Sequence, residues 1–282
     1  MAVPYLLSPL SWINALAAVE PADRTADIAY RGALKLDVYT PRSGAAPWPV
    51  VVFIHGGGWD SGDRGMYRFA GAALAAQGFV AVVPSYRIFP EGRFPDFIED
   101  AAAAVGWTAD HIGGFGGDPR RLVLMGHSAG AHIAAMLSFD RQWLGQVALD
   151  PDRALRGFVG LSGPYDFLPL HSDHLRDILG PESGLWRTQP INFVDRRVVP
   201  SFIATGARDT VVDPANSTRL AARIRTYGGA ARLVVYPRAG HTLIGAFSPM
   251  FRPLAPVLSD SARFISEIAA PEAAAIASEP AI

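Results

Sequence analysis

Between Arg121 and Phe139 the chain leaves its backbone few choices. Leu122-Val123-Leu124-Met125 is an apolar run short enough for one buried strand, Gly126-His127-Ser128-Ala129-Gly130 follows without a spacer, and Ala129 to Phe139 reads as a small-residue helix. A turn this tight puts its middle residue at strained backbone angles. Glycine two positions before and after it leaves room where a Cβ would collide with backbone. Ser128 should therefore stand clear of the sheet, and the Ala129 amide, at a helix N-terminus, should point at whatever Ser128 attacks. A free donor and the helix dipole both favour negative charge there. Strand before and helix after distinguish this nucleophile elbow from a chance Gly/Ser turn.

The rest of the chain supplies a sheet for that elbow. Ile28-Ala29-Tyr30 and Leu34 to Tyr39 alternate about Arg31-Gly32, which predicts an edge hairpin. Pro49 to Ile54 is a continuous apolar strand of the kind covered on both faces, and it ends in His55-Gly56-Gly57-Gly58-Trp59. Met66, Phe69, Ala70, Ala73 and Leu74 have helical spacing, Gly78 closes that helix, and Phe79 to Val83 is the next strand. Phe94 to Ile112 repeats the helical pattern. Beyond the elbow, strands at Leu155 to Leu161, Ser201 to Thr205 and Arg232 to Tyr236 alternate with helices at Asn216 to Tyr227 and Leu258 to Ala270. The prediction is an α/β fold, a mostly parallel central sheet with helices on both faces, with function at the carboxyl ends of the strands.

Residues 27–268 read as that one domain. Within it, 163–195 is polar, punctuated by Pro and Gly, and too long for an ordinary connection, which predicts a small cap insertion. Residues 1–26 read as an N-terminal segment with a short packing helix inside Leu6 to Val19, and the alanine-rich 269–282 as a C-terminal tail.

Composition excludes several classes of function. A net charge of -1 without basic blocks argues against a nucleic-acid or anionic-membrane surface. The absence of cysteine removes disulfides, thiolate nucleophiles and cysteine-zinc sites together. No run reaches the roughly 18 apolar residues of a membrane span, and Leu6 to Val19 lacks a basic n-region. A soluble protein, cytoplasmic by default, is the expectation; the oligomeric state is left open.

A serine hydroxyl is a poor nucleophile at neutral pH, so the elbow requires a base and a group that orients it, in the chain order Ser, acid, His. Asp209 follows the strand Phe202 to Thr205, and His241 follows the strand Leu233 to Tyr236, which puts both on the sheet edge that carries Ser128. Ser128 is therefore assigned as nucleophile, His241 as general base and then acid, and Asp209 as the carboxylate that fixes the imidazole tautomer. Asp213 is the rival acid, but its place before Pro214 suits a carboxylate that caps the next helix. His171-Ser172-Asp173-His174 lacks a third spaced ligand, so no metal is predicted. His127 and His132 should bond locally. The Gly57 and Gly58 amides, with that of Ala129, should form an oxyanion hole, while His55 and Trp59 support the loop.

Taken together, these motifs resemble the α/β-hydrolase superfamily, and within it the esterases with a His-Gly-Gly-x-Trp loop: carboxylesterases, feruloyl-esterase-like and arylformamidase-like enzymes. Leu36-Asp37-Val38-Tyr39, His55 to Trp59, Tyr86-Arg87, Gly116-Gly117-Asp118-Pro119, Gly126 to Gly130 and Asp209 carry the resemblance in that order. Ala239-Gly240 departs from it, since relatives often place an acidic residue just before the histidine. The expectation is a serine carboxylic-ester hydrolase acting through an acyl-enzyme, without cofactor, on small to medium acyl esters. An arylformamidase-type amidase with the same triad is the alternative, and a catalytically inactive binding protein on the same fold is the alternative of another class.

Overall fold

The computed structural model describes residues 21–270. The packing helix expected in 1–20 and the tail beyond 270 lie outside the described residues. Eight strands form one sheet in the order β1-β2-β4-β3-β5-β6-β7-β8. They are β1 (Ala22–Arg31), β2 (Leu34–Pro41), β3 (Trp48–Ile54), β4 (Val80–Pro84), β5 (Gly117–His127), β6 (Leu155–Leu161), β7 (Ser201–Gly206) and β8 (Ala231–Tyr236). The hairpin β1 and β2 is antiparallel, as is β2 against β4, and the remaining pairs are parallel. Strand β1 begins at Ala22, so residues 22–26, read from sequence as part of an N-terminal segment, belong to the sheet. Their alternation is hard to see in sequence because most of their side chains face solvent.

Alternate residues of the central strands feed two cores. Val50, Val52 and Ile54 pack with helix α2 (Asp96–His111), helix α3 (Ala129–Phe139) and helix α5 (Ala215–Thr226) on one face. Val51 and Phe53 pack with helix α1 (Arg68–Ala76) and helix α6 (Val257–Ile268) on the other. A parallel strand covered in this way needs apolar residues at every position, which is why β3 and β5 read as continuous runs. Buried Asp37 accepts from Arg24 Nη2 at 2.8 Å and Arg64 Nε at 3.1 Å, tying the hairpin to the chain beyond the glycine loop.

The segment 163–195 holds helix α4 (Asp173–Leu179) and two 3-10 turns, Glu182–Thr188 and Pro190–Phe193. It packs against the glycine loop and α3: Phe167 stacks on Trp59 at 6.1 Å, and the Thr188 carbonyl accepts from His132 Nε2 at 2.7 Å.

Candidate active site

At the end of β5 the chain turns at Ser128, with φ 55° and ψ -123°, and enters α3 at once. Positive φ at a non-glycine residue costs of order 1 to 3 kcal/mol and persists only where the surroundings enforce it. They do so here through close packing: a Cβ on Gly126 would strike the Gly130 carbonyl, and one on Gly130 would strike that of Ile54. Ser128 N donates to Leu161 O at 2.9 Å, which fastens the turn to β6.

Loops after β7 and β8 bring the other two predicted residues to Ser128. His241 Nε2 lies 2.9 Å from Ser128 Oγ, and His241 Nδ1 lies 3.0 Å from Asp209 Oδ2. An ionised carboxylate can only accept, so Nδ1 carries the proton and Nε2 is left to accept from the serine hydroxyl. Asp209 Oδ1 accepts from the amides of Val211 at 3.0 Å and Val212 at 2.9 Å. Burial alone would raise this carboxyl, but the two amides and His241 outweigh it and hold it below its ordinary value. Asp213 instead points to solvent and accepts from Ala215 N at 2.9 Å, at the start of α5.

The glycine loop faces Ser128 across the sheet edge. Asp60 N, Ser61 N and Ser61 Oγ all donate to the Gly57 carbonyl, at 3.2, 2.9 and 2.7 Å. Because the peptide is planar and trans, fixing that carbonyl towards Ser61 turns the Gly58 N–H the opposite way. Gly57 sits at φ +131° and Gly58 at φ +62°, angles that only glycine adopts without strain. The amides of Gly57 and Gly58 donate to no acceptor among the described residues, and Ala129, as the first residue of α3, has no carbonyl a turn behind it within the helix.

His55 and Trp59 hold this loop. The His55 ring donates to the Gly56 carbonyl at 2.9 Å and stacks on Tyr86 at 4.2 Å, while the Tyr86 hydroxyl donates to the His55 carbonyl at 2.8 Å. Burial lowers His55 to about 4, so it stays neutral at physiological pH. Trp59 meets His132 edge to face at 5.1 Å. His174, one of the histidines considered for a metal, pairs with Asp60 at 2.8 Å, bridging α4 and the glycine loop. Among the described residues no group of three His, Cys, Asp or Glu side chains is placed to hold a metal ion.

Two features escaped the sequence reading. Tyr67 lies beneath the site, its hydroxyl 3.1 Å from His127 Nδ1, and nothing in its helical spacing sets it apart from a core aromatic. The larger omission is the wall of the recess in front of Ser128, a space of about 840 Å³. Its lining includes Leu243, Ile244, Ala246, Phe251 and Leu254, from the chain after His241, and no residue of 163–195. The apolar run Leu243 to Phe247 directly after the histidine was the available signal.

Comparison with known proteins sets these observations in a family. The BD-FAE family model matches residues 36–224. The chain is similar to a probable isoprenylcysteine alpha-carbonyl methylesterase, ICMEL1, of Arabidopsis thaliana, with 29% identity over 77% of this chain and 50% of that protein. It is also similar to esterase LipC of Mycobacterium tuberculosis, with 27% identity over 69% of this chain and 53% of that protein. A kynurenine formamidase of Salmo salar is 33% identical over 51% of this chain and 47% of that protein. The chain thus spans about half the length of the curated relatives it matches. Among solved structures, a truncated carbohydrate esterase from gut microbiota superposes with a TM-score of 0.77 at 20% identity, covering 90% of this chain and 99% of that one. Apo esterase 2 of Thermogutta terrifontis gives 0.72 at 23%, covering 88% and 95%. At these identities the structures speak for the fold, which is that of the α/β-hydrolases.

Proposed function

The chain belongs to the BD-FAE family, and from that membership together with the site geometry we propose that it is a serine carboxylic-ester hydrolase acting through an acyl-enzyme on small to medium acyl esters. One observation carries the reading: His241 stands 2.9 Å from Ser128 Oγ with Asp209 bonded behind it at 3.0 Å. Relatives that bear the name esterase add support.

Ser128 Oγ attacks the ester carbonyl carbon and its proton passes to His241 Nε2. Negative charge collects on the former carbonyl oxygen, opposite the amides of Gly57, Gly58 and Ala129. Each fixed donor of this kind is worth about 100- to 1,000-fold in rate. When the intermediate collapses, His241 returns its proton to the leaving alkoxide and the alcohol departs. Water, deprotonated by His241, then attacks the acyl carbon; the acid leaves and Ser128 recovers its proton. Asp209 keeps its charge throughout and stabilises the imidazolium.

A formamidase activity is the second reading, favoured by the similarity to kynurenine formamidase. Initial rates on nitrophenyl esters from acetyl to long acyl chains, beside a formyl-aniline and with Ser128→Ala as control, test both. A short-chain maximum that vanishes in the variant is the expected result. Faster turnover of the formyl-aniline would favour the amidase. Full activity in the variant would remove the serine mechanism, and a chain that neither turns over nor reacts with a serine-directed phosphonate would be an inactive binding protein.

A further inference from the structure

We propose that the recess beside His241 receives the alcohol limb of the ester and selects apolar alcohols, so that the preferred substrates join a short acid to a bulky apolar alcohol. This rests on the serine-esterase reading and adds the direction in which the substrate lies.

The direction follows from the proton. His241 Nε2 must hand its proton to the leaving oxygen, so the alcohol departs on the His241 side of Ser128. The 840 Å³ recess opens on that side, walled by the chain after His241, and is towards the upper end of the 300 to 1,000 Å³ typical of small-molecule sites. On the other side of the glycine loop the space is filled. Trp59 is 5% exposed and His132 fully buried, the two rings meet at 5.1 Å, and Phe167 covers Trp59 at 6.1 Å. In this reading the acyl group meets that packed side, which favours a short one.

Chemistry of the wall decides what kind of alcohol fits. Beyond the reacting groups, the polar side chains that line the recess are His127, Tyr67, Thr242 and Arg238. The first two are bonded to each other at 3.1 Å, and Arg238 lies exposed. A sugar would give up the hydration of several hydroxyls for few fixed partners, which is unfavourable. An alkyl or terpenoid alcohol would lose nothing and would cover the apolar wall, including Leu254, which is 71% exposed in the free protein.

Octyl acetate and methyl nonanoate test this directly, because they are isomers with the ester reversed. We expect kcat/KM for octyl acetate to exceed that for methyl nonanoate by about tenfold or more. Each methylene added to the alcohol should contribute about two- to fourfold, as burial of a CH₂ predicts. Leu254→Asp, an exposed substitution that spares the core, should reduce the octyl acetate preference at least threefold. Equal rates, or faster cleavage of methyl nonanoate, with both abolished by Ser128→Ala, would overturn the inference and leave the esterase reading intact. A sugar acetate cleaved faster than octyl acetate would also overturn it. Cleavage of neither isomer by a chain that still hydrolyses nitrophenyl acetate would overturn the inference alone, whereas a chain that also fails on nitrophenyl acetate and does not react with a serine-directed phosphonate would lose both readings.

Discussion

The His127 imidazole donates a 2.9 Å hydrogen bond to the backbone carbonyl of His241, so the residue before Ser128 holds the residue that bonds Ser128. A carbonyl can only accept, which fixes the His127 proton on Nε2 and leaves Nδ1 to accept from the Tyr67 hydroxyl. Burial first, and then the neighbouring His241, lower His127 to about 4, so this bond persists in the neutral form across physiological pH. Removing the donor should let His241 drift from Ser128. His127→Ala is expected to lower kcat about 3- to 10-fold, the equivalent of one neutral hydrogen bond, with KM little changed. His127→Gln, which can donate through its amide, should recover part of the loss. Steady-state kinetics on nitrophenyl acetate, with urea unfolding as a control for fold, would check this.

Asp209 and Asp213 are four positions apart and differ in every contact that matters. Asp209→Asn should lower kcat by roughly 10,000-fold, because an amide can donate to Nδ1 and stabilise the wrong tautomer. Asp213→Ala removes only the bond to Ala215 N and should cost about 1 kcal/mol of stability or less, with kcat within about twofold. Parallel kinetics and denaturant midpoints on the two variants would separate the roles, and a large kcat loss in Asp213→Ala would reverse the assignment.

Acid should destabilise the fold before it protonates Asp209. Burial lowers His55, His127 and His132 to about 4 each, whereas an unfolded imidazole titrates near 6.5. Between those values the unfolded chain binds more protons than the folded one. Stability is therefore complete above about pH 6.5 and is lost as pH falls towards 4. Each group contributes at most about 3 kcal/mol, and three of them approach the whole stability of an ordinary domain. Urea midpoints measured from pH 8 to 4.5 should fall steeply below about pH 6, and His132→Gln should flatten the slope. Constant midpoints over that range would mean that these rings titrate in the folded state as they do in the unfolded chain.

Gly57 combines φ +131° with a site where a Cβ would meet the Ser61 carbonyl. Gly57→Ala should displace the loop amides from the oxyanion and lower kcat about 100- to 1,000-fold while substrate binding persists. The measurement is kcat against KM, with circular dichroism to confirm the fold.

Much of this was legible because the relevant constraints are short-range. Gly126, Ser128 and Gly130 announce the turn through sterics within five residues, and the apolar runs of β3 and β5 declare two-sided burial by lacking alternation. The start of β1 at Ala22 was not legible, since an exposed edge strand carries little pattern. Nor was the recess. Most of its wall comes from residues 238–255, whereas length and polarity point to 163–195, a segment that packs on Trp59 and α3 instead.

By itself the sequence determined the strand and helix order, the strained serine and the glycine loop, because each depends on a local period or on the space a Cβ needs. Tertiary structure decided which carboxylate meets His241, what steadies that histidine from behind, and which side of Ser128 is open. Those relations join residues about 30 to 110 positions apart, such as Asp209 with His241 and His127 with the His241 carbonyl. They depend on strand order and on which surfaces the two cores leave uncovered, and no window of sequence contains that information.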